Sequence, residues 1–277
     1  MASSSSSRRH WVIGDVHGCA ASLEALLDQL PASDRLIFCG DVINRGPQIG
    51  ATMERVWDLV EQDRAVWLKG NHEQDLVDAL RLGSWRSQQG LAGCDTFRHL
   101  GERRCRTWLE RLDSLPLAYW GEGWVATHAG FDPSSWRPDL SVRMAFWQAY
   151  DGRFGEVVIG HTPGPGLRKI NGIVMVDTGA CYGGDLTAYC PETGLVTTSP
   201  GLRCLPDPQR GGRPSQAARE RSALALATRP SLAALEALAT GTAPSLAPGA
   251  VMAPGATVLP PYPFSAAPAW TAASTHP

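Results

Sequence analysis

Lysine is nearly absent from this chain, which has only Lys69 and Lys169 in 277 residues, so arginine supplies the rest of its positive charge. The 25 basic residues are balanced by 27 acidic ones, and the formal net charge is −2. A global basic field is therefore missing, and we expect no binding to nucleic acid or to a membrane surface. No segment approaches the roughly 18 consecutive apolar residues of a membrane span. The serine-rich start lacks an apolar stretch after its basic pair and is not expected to be a secretory signal.

The cysteine pattern of a disulfide-bonded framework is missing as well. The chain has seven cysteines, an odd number, and no CxxC motif. In a chain of this length the pattern predicts reduced thiols, so we expect a cytoplasmic protein.

Charge and periodicity disappear in the last part of the chain. Residues 201–277 contain twelve of the 21 prolines, and no Asp, Glu, Lys or Arg follows Glu236. This composition predicts a largely disordered tail, in which only 215–238 has the composition of a helix, interrupted at Pro230. We therefore divide the chain into a flexible N-terminus (1–9), a folded domain (10–200) and the tail (201–277).

Within 10–200, short apolar runs alternate with stretches of helical periodicity. Strands are predicted at 10–14, 35–39, 65–68, 124–127, 156–159, 173–176 and 186–189. Helices are predicted at 19–30, 47–62 and 71–82, with Pro47 in a first helical turn. The pattern indicates an α/β fold whose first half is wound β-α-β and whose second half is richer in strand pairs.

Five of these strands end in a glycine-flanked Asp, His or Asn. The motifs are Gly-Asp-Val-His-Gly (14–18), Gly-Asp-Val-Ile-Asn-Arg-Gly-Pro (40–47), Gly-Asn-His-Glu (70–73), His-Ala-Gly (128–130) and Gly-His-Thr-Pro (160–163). Open sheets bind ligands at such strand ends, and glycine lets the backbone turn sharply towards a shared centre.

These strand ends offer a ligand set of nitrogen and oxygen atoms without thiolate. Each member alone has an ordinary structural interpretation, such as a turn, a helix N-cap for Asn71 or a core histidine for His128. Together they favour Mn²⁺, Fe or Zn²⁺, and a carboxylate between two such groups can bridge two ions. Two metal ions bridged in this way polarise a phosphoryl oxygen and hold a hydroxide for in-line attack. The candidate ligands are Asp15, His17, Asp41, Asn71, His128 and His161.

The motif set resembles that of the calcineurin-like metallophosphoesterases, specifically their phosphoprotein phosphatase branch. This resemblance implies a two-sheet β-sandwich flanked by helices, with a dinuclear metal site. By motif, Asp15, His17 and Asp41 would hold one ion, and a bridging Asp41 with Asn71, His128 and His161 the other. Arg45 would grip the substrate phosphate, and His72 would protonate the leaving oxygen.

The chain departs from that family pattern at two positions. Asn44 stands where eukaryotic-type protein phosphatases have an aspartate that orients the catalytic histidine; bacterial symmetrical dinucleoside tetraphosphatases also have a non-acidic residue there. The arginine of a Trp-x-Arg motif is missing after Trp147. Its nearest replacements are Arg143, Arg153 and Arg168. Tyr182 is a further candidate for the lining of the pocket.

The first hypothesis is therefore a phosphatase with two divalent ions, Mn²⁺ before Fe or Zn²⁺, that hydrolyses phosphomonoesters, including phosphoserine and phosphothreonine in proteins. The alternative is symmetrical hydrolysis of dinucleoside tetraphosphates. A non-catalytic, metal-bound binding module is a third possibility. The expected partner is a phosphoprotein or a small phosphoester, and the sequence predicts no oligomeric state.

Overall fold

The computed structural model describes residues 8–82 and 85–203. The first seven residues and 204–277, with the predicted helical island, lie outside the described residues, so the flexible terminus and the disordered tail stay predictions. The described part contains ten strands and six helices. In chain order these are β1 (His10–Ile13), α1 (Ala20–Leu27), β2 (Arg35–Phe38), α2 (Ile49–Glu61), β3 (Ala65–Trp67), α3 (Asn71–Leu82), α4 (Trp85–Gly93), α5 (Asp95–Asp113), β4 (Ala118–Trp120), β5 (Trp124–Thr127), α6 (Met144–Ala149), β6 (Glu156–Ile159), β7 (Arg168–Ile170), β8 (Ile173–Met175), β9 (Asp185–Cys190) and β10 (Leu195–Pro200).

The strands form two mixed sheets of five. The first has the order β10-β9-β1-β2-β3, and the second has the order β4-β5-β6-β8-β7. In the first sheet β1, β2 and β3 are parallel, while β9 and β10 join antiparallel at one side. In the second sheet β5, β6 and β8 are parallel, with β4 and β7 as antiparallel edges.

Alternation along the strands builds a core between the two sheets. Val12 of β1 lies in this inner core, whereas its neighbours Trp11 and Ile13 face the other side, where the helices pack. The second sheet contributes Val158 and Val174 to the same inner core. Because successive side chains of a strand point to opposite faces, each sheet buries both of its faces.

Helices cover both outer faces. Apolar residues of α1, α2, α3 and α5 pack on the first sheet, and Phe146 of α6 packs on the second. The predicted two-sheet sandwich flanked by helices is thereby confirmed. One detail was wrong: α2 begins at Ile49, so Pro47 precedes the helix and does not lie in its first turn.

Several elements have no clear counterpart in the sequence pattern. Strands β4, β7 and β10 and helices α4, α5 and α6 were not predicted. β4 and β7 are three-residue strands at the edges of the second sheet, too short to display an alternation. Among the described residues, no helix has both the length and the apolar character needed to span a bilayer.

The topology brings the carboxyl ends of the parallel strands of both sheets to one region. The loops after β1 and β2 meet those after β5 and β6: the main-chain N–H of His161 donates to Oδ1 of Asp15 at 3.0 Å, and Nδ1 of His128 lies 2.8 Å from the carbonyl oxygen of Cys39. Oδ1 of Asn71, after β3, lies 3.0 Å from Nε2 of His128. These are the loops that carry the five sequence motifs.

Candidate metal centre

Four ligand-type atoms from four different loops converge at the top of the sandwich. Nε2 of His128 lies 3.0 Å from Oδ1 of Asn71 and 3.1 Å from Nδ1 of His161. Nδ1 of His161 is also 3.0 Å from Oδ1 of Asn71. Oδ2 of Asp41 lies 3.6 Å from Nε2 of His128. The structure thus brings together the four residues that the resemblance assigned to one ion.

The second predicted group forms on the other side of Asp41. Nε2 of His17 lies 3.7 Å from Oδ2 of Asp41 and 3.8 Å from Oδ2 of Asp15. Asp15 is held by the main-chain N–H of His161, which donates to Oδ1 at 3.0 Å. Asp41 therefore lies between the two groups, where a bridging carboxylate would have to be.

Hydrogen bonds behind the histidines fix which nitrogen faces the centre. Nδ1 of His128 lies 2.8 Å from the carbonyl oxygen of Cys39, and Nδ1 of His17 lies 2.8 Å from that of Ile43. A carbonyl only accepts, so each Nδ1 carries the proton and each Nε2 turns a lone pair towards the aspartates. Metal-ligating histidines are oriented by this kind of second contact.

The residues present fit a pair of divalent cations. Nε2 of His128 and Nε2 of His17 are acceptors, and they lie 3.6 and 3.7 Å from the carboxylate oxygen Oδ2 of Asp41, which is unfavourable unless a cation takes that place. Burial raises the pKa of Asp41 to about 7 and lowers that of His128 to about 4. The pKa of Asp15 is raised by burial and then by the charges of Asp177 and Asp41. Carboxylates crowded in this way with neutral imidazoles are suited to bind metal ions.

His72, Asn44 and Arg45, the three residues predicted to act on the substrate, lie beside the second group. The ring centroids of His72 and His17 are 5.1 Å apart. Nδ1 of His72 is 2.7 Å from Nδ2 of Asn44, and its Nε2 is 3.0 Å from Nη2 of Arg45 and 3.8 Å from Oδ2 of Asp41. Burial, followed by the charge of Arg45, lowers the pKa of His72 to about 4. An imidazole N–H and a guanidinium therefore approach each other at the edge of the metal centre, where both can meet a phosphoryl oxygen.

Backbone strain is concentrated in these loops. Five of the eight non-glycine residues with positive φ among those described belong to the candidate site, and they are His17, Asp41, Asn44, Arg45 and His161. Such conformations cost energy and persist only where the surroundings impose them. Gly70 shows how tight the approach is, because a Cβ there would collide with the carboxylate of Asp41.

The structure separates the three candidates for the missing arginine. Nε of Arg143 lies 3.3 Å from Oγ1 of Thr162, next to His161, and its charge helps to lower the pKa of His161. Arg153 instead pairs with Asp151 at 2.7 Å. The half-buried Arg168 donates to the carbonyl oxygen of Thr162, and its charge acts on Asp177. Arg143 is the candidate whose charge acts on His128 and His161, both members of the first group.

Two buried acids at the site were missed by sequence reasoning. Burial raises the pKa of Asp177 to about 6, and its charge acts on Asp15. Glu73 accepts main-chain N–H groups from the loops at Asp41 and Gly70. Burial and then the charge of Asp41 raise the pKa of Glu73 to about 8, while its N–H donors act in the opposite direction. Glu73 belongs to a quoted motif, but nothing in the motif tells that its side chain points away from the ligands.

Tyr182 lies at the rim, as one interpretation of its loop suggested. Its ring is half exposed, and the guanidinium carbon of Arg45 stands 5.2 Å from the ring centroid. This distance is within the range of a cation–π interaction, so the ring of Tyr182 packs against the guanidinium of Arg45 on one side.

A two-sheet sandwich with acids, an amide and histidines at its strand ends defines a metallophosphoesterase. The family model of the calcineurin-like phosphoesterases matches residues 8–189, and the chain belongs to that family. Members of this family depend on metal ions, in agreement with the two groups of ligand-type residues around Asp41.

Two curated relatives are named as bis(5'-nucleosyl)-tetraphosphatases. The chain is 30% identical over 228 residues to the asymmetrical bis(5'-nucleosyl)-tetraphosphatase PrpE of Anoxybacillus flavithermus, a match that covers 67% of this chain and 92% of that protein. It is 38% identical over 122 residues to a symmetrical bis(5'-nucleosyl)-tetraphosphatase of Ralstonia nicotianae, with 44% of this chain and 41% of the relative covered. The chain thus spans less than half of the symmetrical relative.

A solved structure supports the fold. A serine/threonine protein phosphatase from Saccharomyces cerevisiae superimposes with a TM-score of 0.51 at 16% identity, covering 74% of this chain and 83% of that one. At this identity the likeness concerns the fold alone.

Proposed function

We propose that this chain hydrolyses phosphoric anhydride bonds of dinucleoside polyphosphates, with two divalent metal ions held by Asp15, His17, Asp41, Asn71, His128 and His161. This proposal is broader than the alternative hypothesis of the sequence analysis, which named symmetrical hydrolysis of dinucleoside tetraphosphates, and we prefer it to the phosphomonoester hypothesis. The observation that carries it is the contact of 2.7 Å between Asn44 and His72. When bound, the ions would activate water and polarise the phosphoryl group. The nitrogen and oxygen donor set favours Mn²⁺ as the first candidate, with Fe or Zn²⁺ as the others.

The Asn44–His72 contact bears on the leaving group. An aspartate at position 44 would stabilise a charged imidazole, whereas an amide cannot do so by charge. Burial and Arg45 already lower the pKa of His72 to about 4, so at neutral pH its ring is uncharged and a weak acid. A serine alkoxide needs a strong proton donor, but the phosphate leaving group of an anhydride does not. The site is therefore better suited to anhydrides than to phosphoserine.

The remaining groups would bind the substrate. Arg45 and Nε2 of His72 would donate to oxygens of the phosphoryl group under attack. Arg143, next to His161, would contact a further phosphate of the chain. The names of the curated relatives agree with this substrate class.

Hydrolysis of phosphomonoesters in proteins stays the second candidate, because the same ligands and Arg45 would serve any terminal phosphate. A cytoplasmic location remains an expectation from the cysteine pattern alone.

Turnover of diadenosine tetraphosphate, a phosphoserine peptide and p-nitrophenyl phosphate by one preparation with Mn²⁺ tests the proposal. We expect the anhydride to be cleaved at least about 10²-fold faster than the peptide, the lower end of what general acid catalysis contributes. Asn44→Asp should raise peptide turnover relative to the anhydride, and His72→Asn should affect p-nitrophenyl phosphate least. A faster peptide reaction would favour the second candidate. Absence of any turnover with bound Mn²⁺ would favour a binding module.

A further inference from the structure

The first turn of α5 holds the loop that carries Asn44 and Arg45. These two consecutive residues have φ angles of 66° and 68°, in the left-handed region. The main-chain N–H of Asn44 donates to Oγ1 of Thr96 at 3.0 Å, and that of Arg45 donates to Oδ2 of Asp95 at 3.2 Å. Neighbouring side chains of one helix thus stabilise a strained pair of residues 50 or more positions earlier in the chain.

Thr96 also decides how the side-chain amide of Asn44 is oriented. Its main-chain N–H, which can only donate, lies 2.9 Å from Oδ1 of Asn44. Its hydroxyl lies 2.7 Å from the same oxygen and donates to it, while accepting the N–H of Asn44. Thr96 is fully buried, so water does not compete for these bonds. The oxygen of the Asn44 amide therefore faces α5, and the nitrogen faces His72.

That orientation sets the position of the proton on His72. Nδ2 of Asn44 only donates, and it lies 2.7 Å from Nδ1 of His72, so Nδ1 accepts. A neutral imidazole with an accepting Nδ1 carries its proton on Nε2. Nε2 in turn lies 3.0 Å from Nη2 of Arg45, which also only donates, so the two contacts of the ring favour opposite tautomers. The contact with Asn44 is the shorter one, and its amide is held by the fully buried Thr96, whereas the guanidinium of Arg45 is partly exposed. With the proton on Nε2, two donors face each other there. An anionic oxygen between them would accept from both.

We infer that Thr96 is a positioning residue: through the amide of Asn44 it holds the proton of His72 on Nε2, the nitrogen that faces the substrate. An aspartate at position 44 would accept from Nδ1 and select the opposite tautomer. The tautomer rests on the contact between Asn44 and Nδ1, whereas the phosphoryl oxygen that would receive the Nε2 proton rests on the proposed function.

Nitrogen-15 NMR of the histidine rings tests the inference directly. The spectrum is recorded on the full chain labelled with ¹⁵N-histidine, without metal and with the diamagnetic ion Zn²⁺, and His72 is assigned by the loss of its signals in His72→Asn. We expect Nε2 of His72 to be protonated and Nδ1 to be unprotonated. The reverse pattern in the wild-type chain would overturn the inference, whether or not any variant folds.

Substitutions at position 96 test the role of the threonine. Thr96→Val keeps the branched shape but removes the hydroxyl, and we expect the ratio of the two tautomers to fall about fivefold, the effect of losing one typical hydrogen bond. Thr96→Ser should restore the wild-type ratio. Thr107→Val is the matched control, because that hydroxyl donates only to the carbonyl oxygen of Arg104 on an exposed part of the same helix. The main-chain N–H of position 96 and Sγ of Cys94, 3.2 Å from Oδ1 of Asn44, remain in this variant. An unchanged ratio would therefore overturn the role of the Thr96 side chain.

Turnover separates this inference from the proposed function. Protonated Nε2 in a chain that hydrolyses no phosphoester would support the tautomer and reject the function. Efficient hydrolysis with the proton on Nδ1 would do the opposite.

Discussion

The main-chain N–H of Asp41 donates to Oε2 of Glu73 at 2.9 Å, so the loop that carries the central carboxylate is fixed from behind by a buried acid. The same side chain accepts from Gly70 N–H at 2.9 Å through Oε2, and from Val42 N–H at 2.9 Å and Ile43 N–H at 3.3 Å through Oε1. One carboxylate thereby joins the loops after β2 and β3, which provide ligands to both candidate metal positions.

Glu73→Gln should destabilise the fold, because the amide nitrogen must face main-chain N–H donors in either orientation. We expect a loss of about 2–4 kcal/mol in the free energy of unfolding, since each buried donor without an acceptor costs about 1–3 kcal/mol. Chemical denaturation at about pH 9 measures it, because above its pKa of about 8 Glu73 is ionised and accepts from all four N–H groups. Glu102→Gln is the control, because Glu102 forms an exposed pair with Arg106 at 2.8 Å and such pairs contribute little. Equal stability of the two variants would contradict the assigned role of Glu73.

Stability of the metal-free protein should fall as pH rises from about 6.5 to 7.5. The pKa of Asp41 is raised to about 7 from its ordinary 3.8, so the stability linked to its protonation is present at low pH and lost through pH 7. The lowered pKa values of His72 and His128, both about 4, act in the opposite direction, but only as pH falls below about 6.5.

Denaturation of chelator-treated protein across this pH range measures that dependence. Asp41→Asn should reduce it and leave the part that comes from Glu73, whose pKa of about 8 acts in the same direction. Added Mn²⁺ should reverse the contribution of Asp41, because ions compete with protons for the carboxylates. A metal-free stability that rises steadily to pH 8 would argue against a protonated Asp41.

Asp41→Asn should remove most metal binding and most activity. Asp41 contacts both groups of ligands, so loss of its charge weakens both ions, and we expect turnover to fall by more than about 100-fold. Calorimetric titration with Mn²⁺ and turnover of diadenosine tetraphosphate measure the two effects. Asp58→Asn, on the exposed side of α2, should change neither. Full activity in a metal-free Asp41→Asn protein would refute the dinuclear site.

Arg143→Gln should lower kcat/KM by about 10–100-fold, the loss expected for a hydrogen bond from a charged donor to phosphate. Nε of Arg143 lies 3.3 Å from Oγ1 of Thr162, next to His161, where its guanidinium can reach a phosphate at the site. Arg153→Gln serves as the control, because that guanidinium is bound to Asp151 at 2.7 Å. If both variants lose activity to the same extent, Arg143 has no special role in substrate binding.

Removal of the residues after Pro206 should leave turnover nearly unchanged. All residues of the candidate site, the last being Tyr182, precede position 190. Steady-state kinetics of the truncated and full chains measure the effect. A loss of about 100-fold in a truncated chain with unchanged circular dichroism would mean that the tail contributes about 2.7 kcal/mol to the transition state.

The sequence by itself determined the layers of the fold and the composition of the site. Apolar residues that recur every two residues in a strand, or every 3.6 residues in a helix, show which face of the element is buried. This is a local property, so β1, α3 and β5 could be predicted from the sequence. The ligands were readable for a related reason: each stands within two residues of a glycine at the end of a strand, and parallel strands direct those ends to one edge.

Only the tertiary structure decided which strands pair and which atoms face each other. Periodicity does not name a partner, so the placement of β9 beside β1 was not predictable from the pattern. The structural roles of Glu73, Thr96 and Asp177 could not be predicted from the motifs, because they depend on contacts with residues far away in the sequence. The direction of the hydrogen bond from Asn44 to His72 is set by an N–H group 52 residues after Asn44. Donor and acceptor roles follow from the three-dimensional surroundings of a side chain, and a linear motif does not contain them.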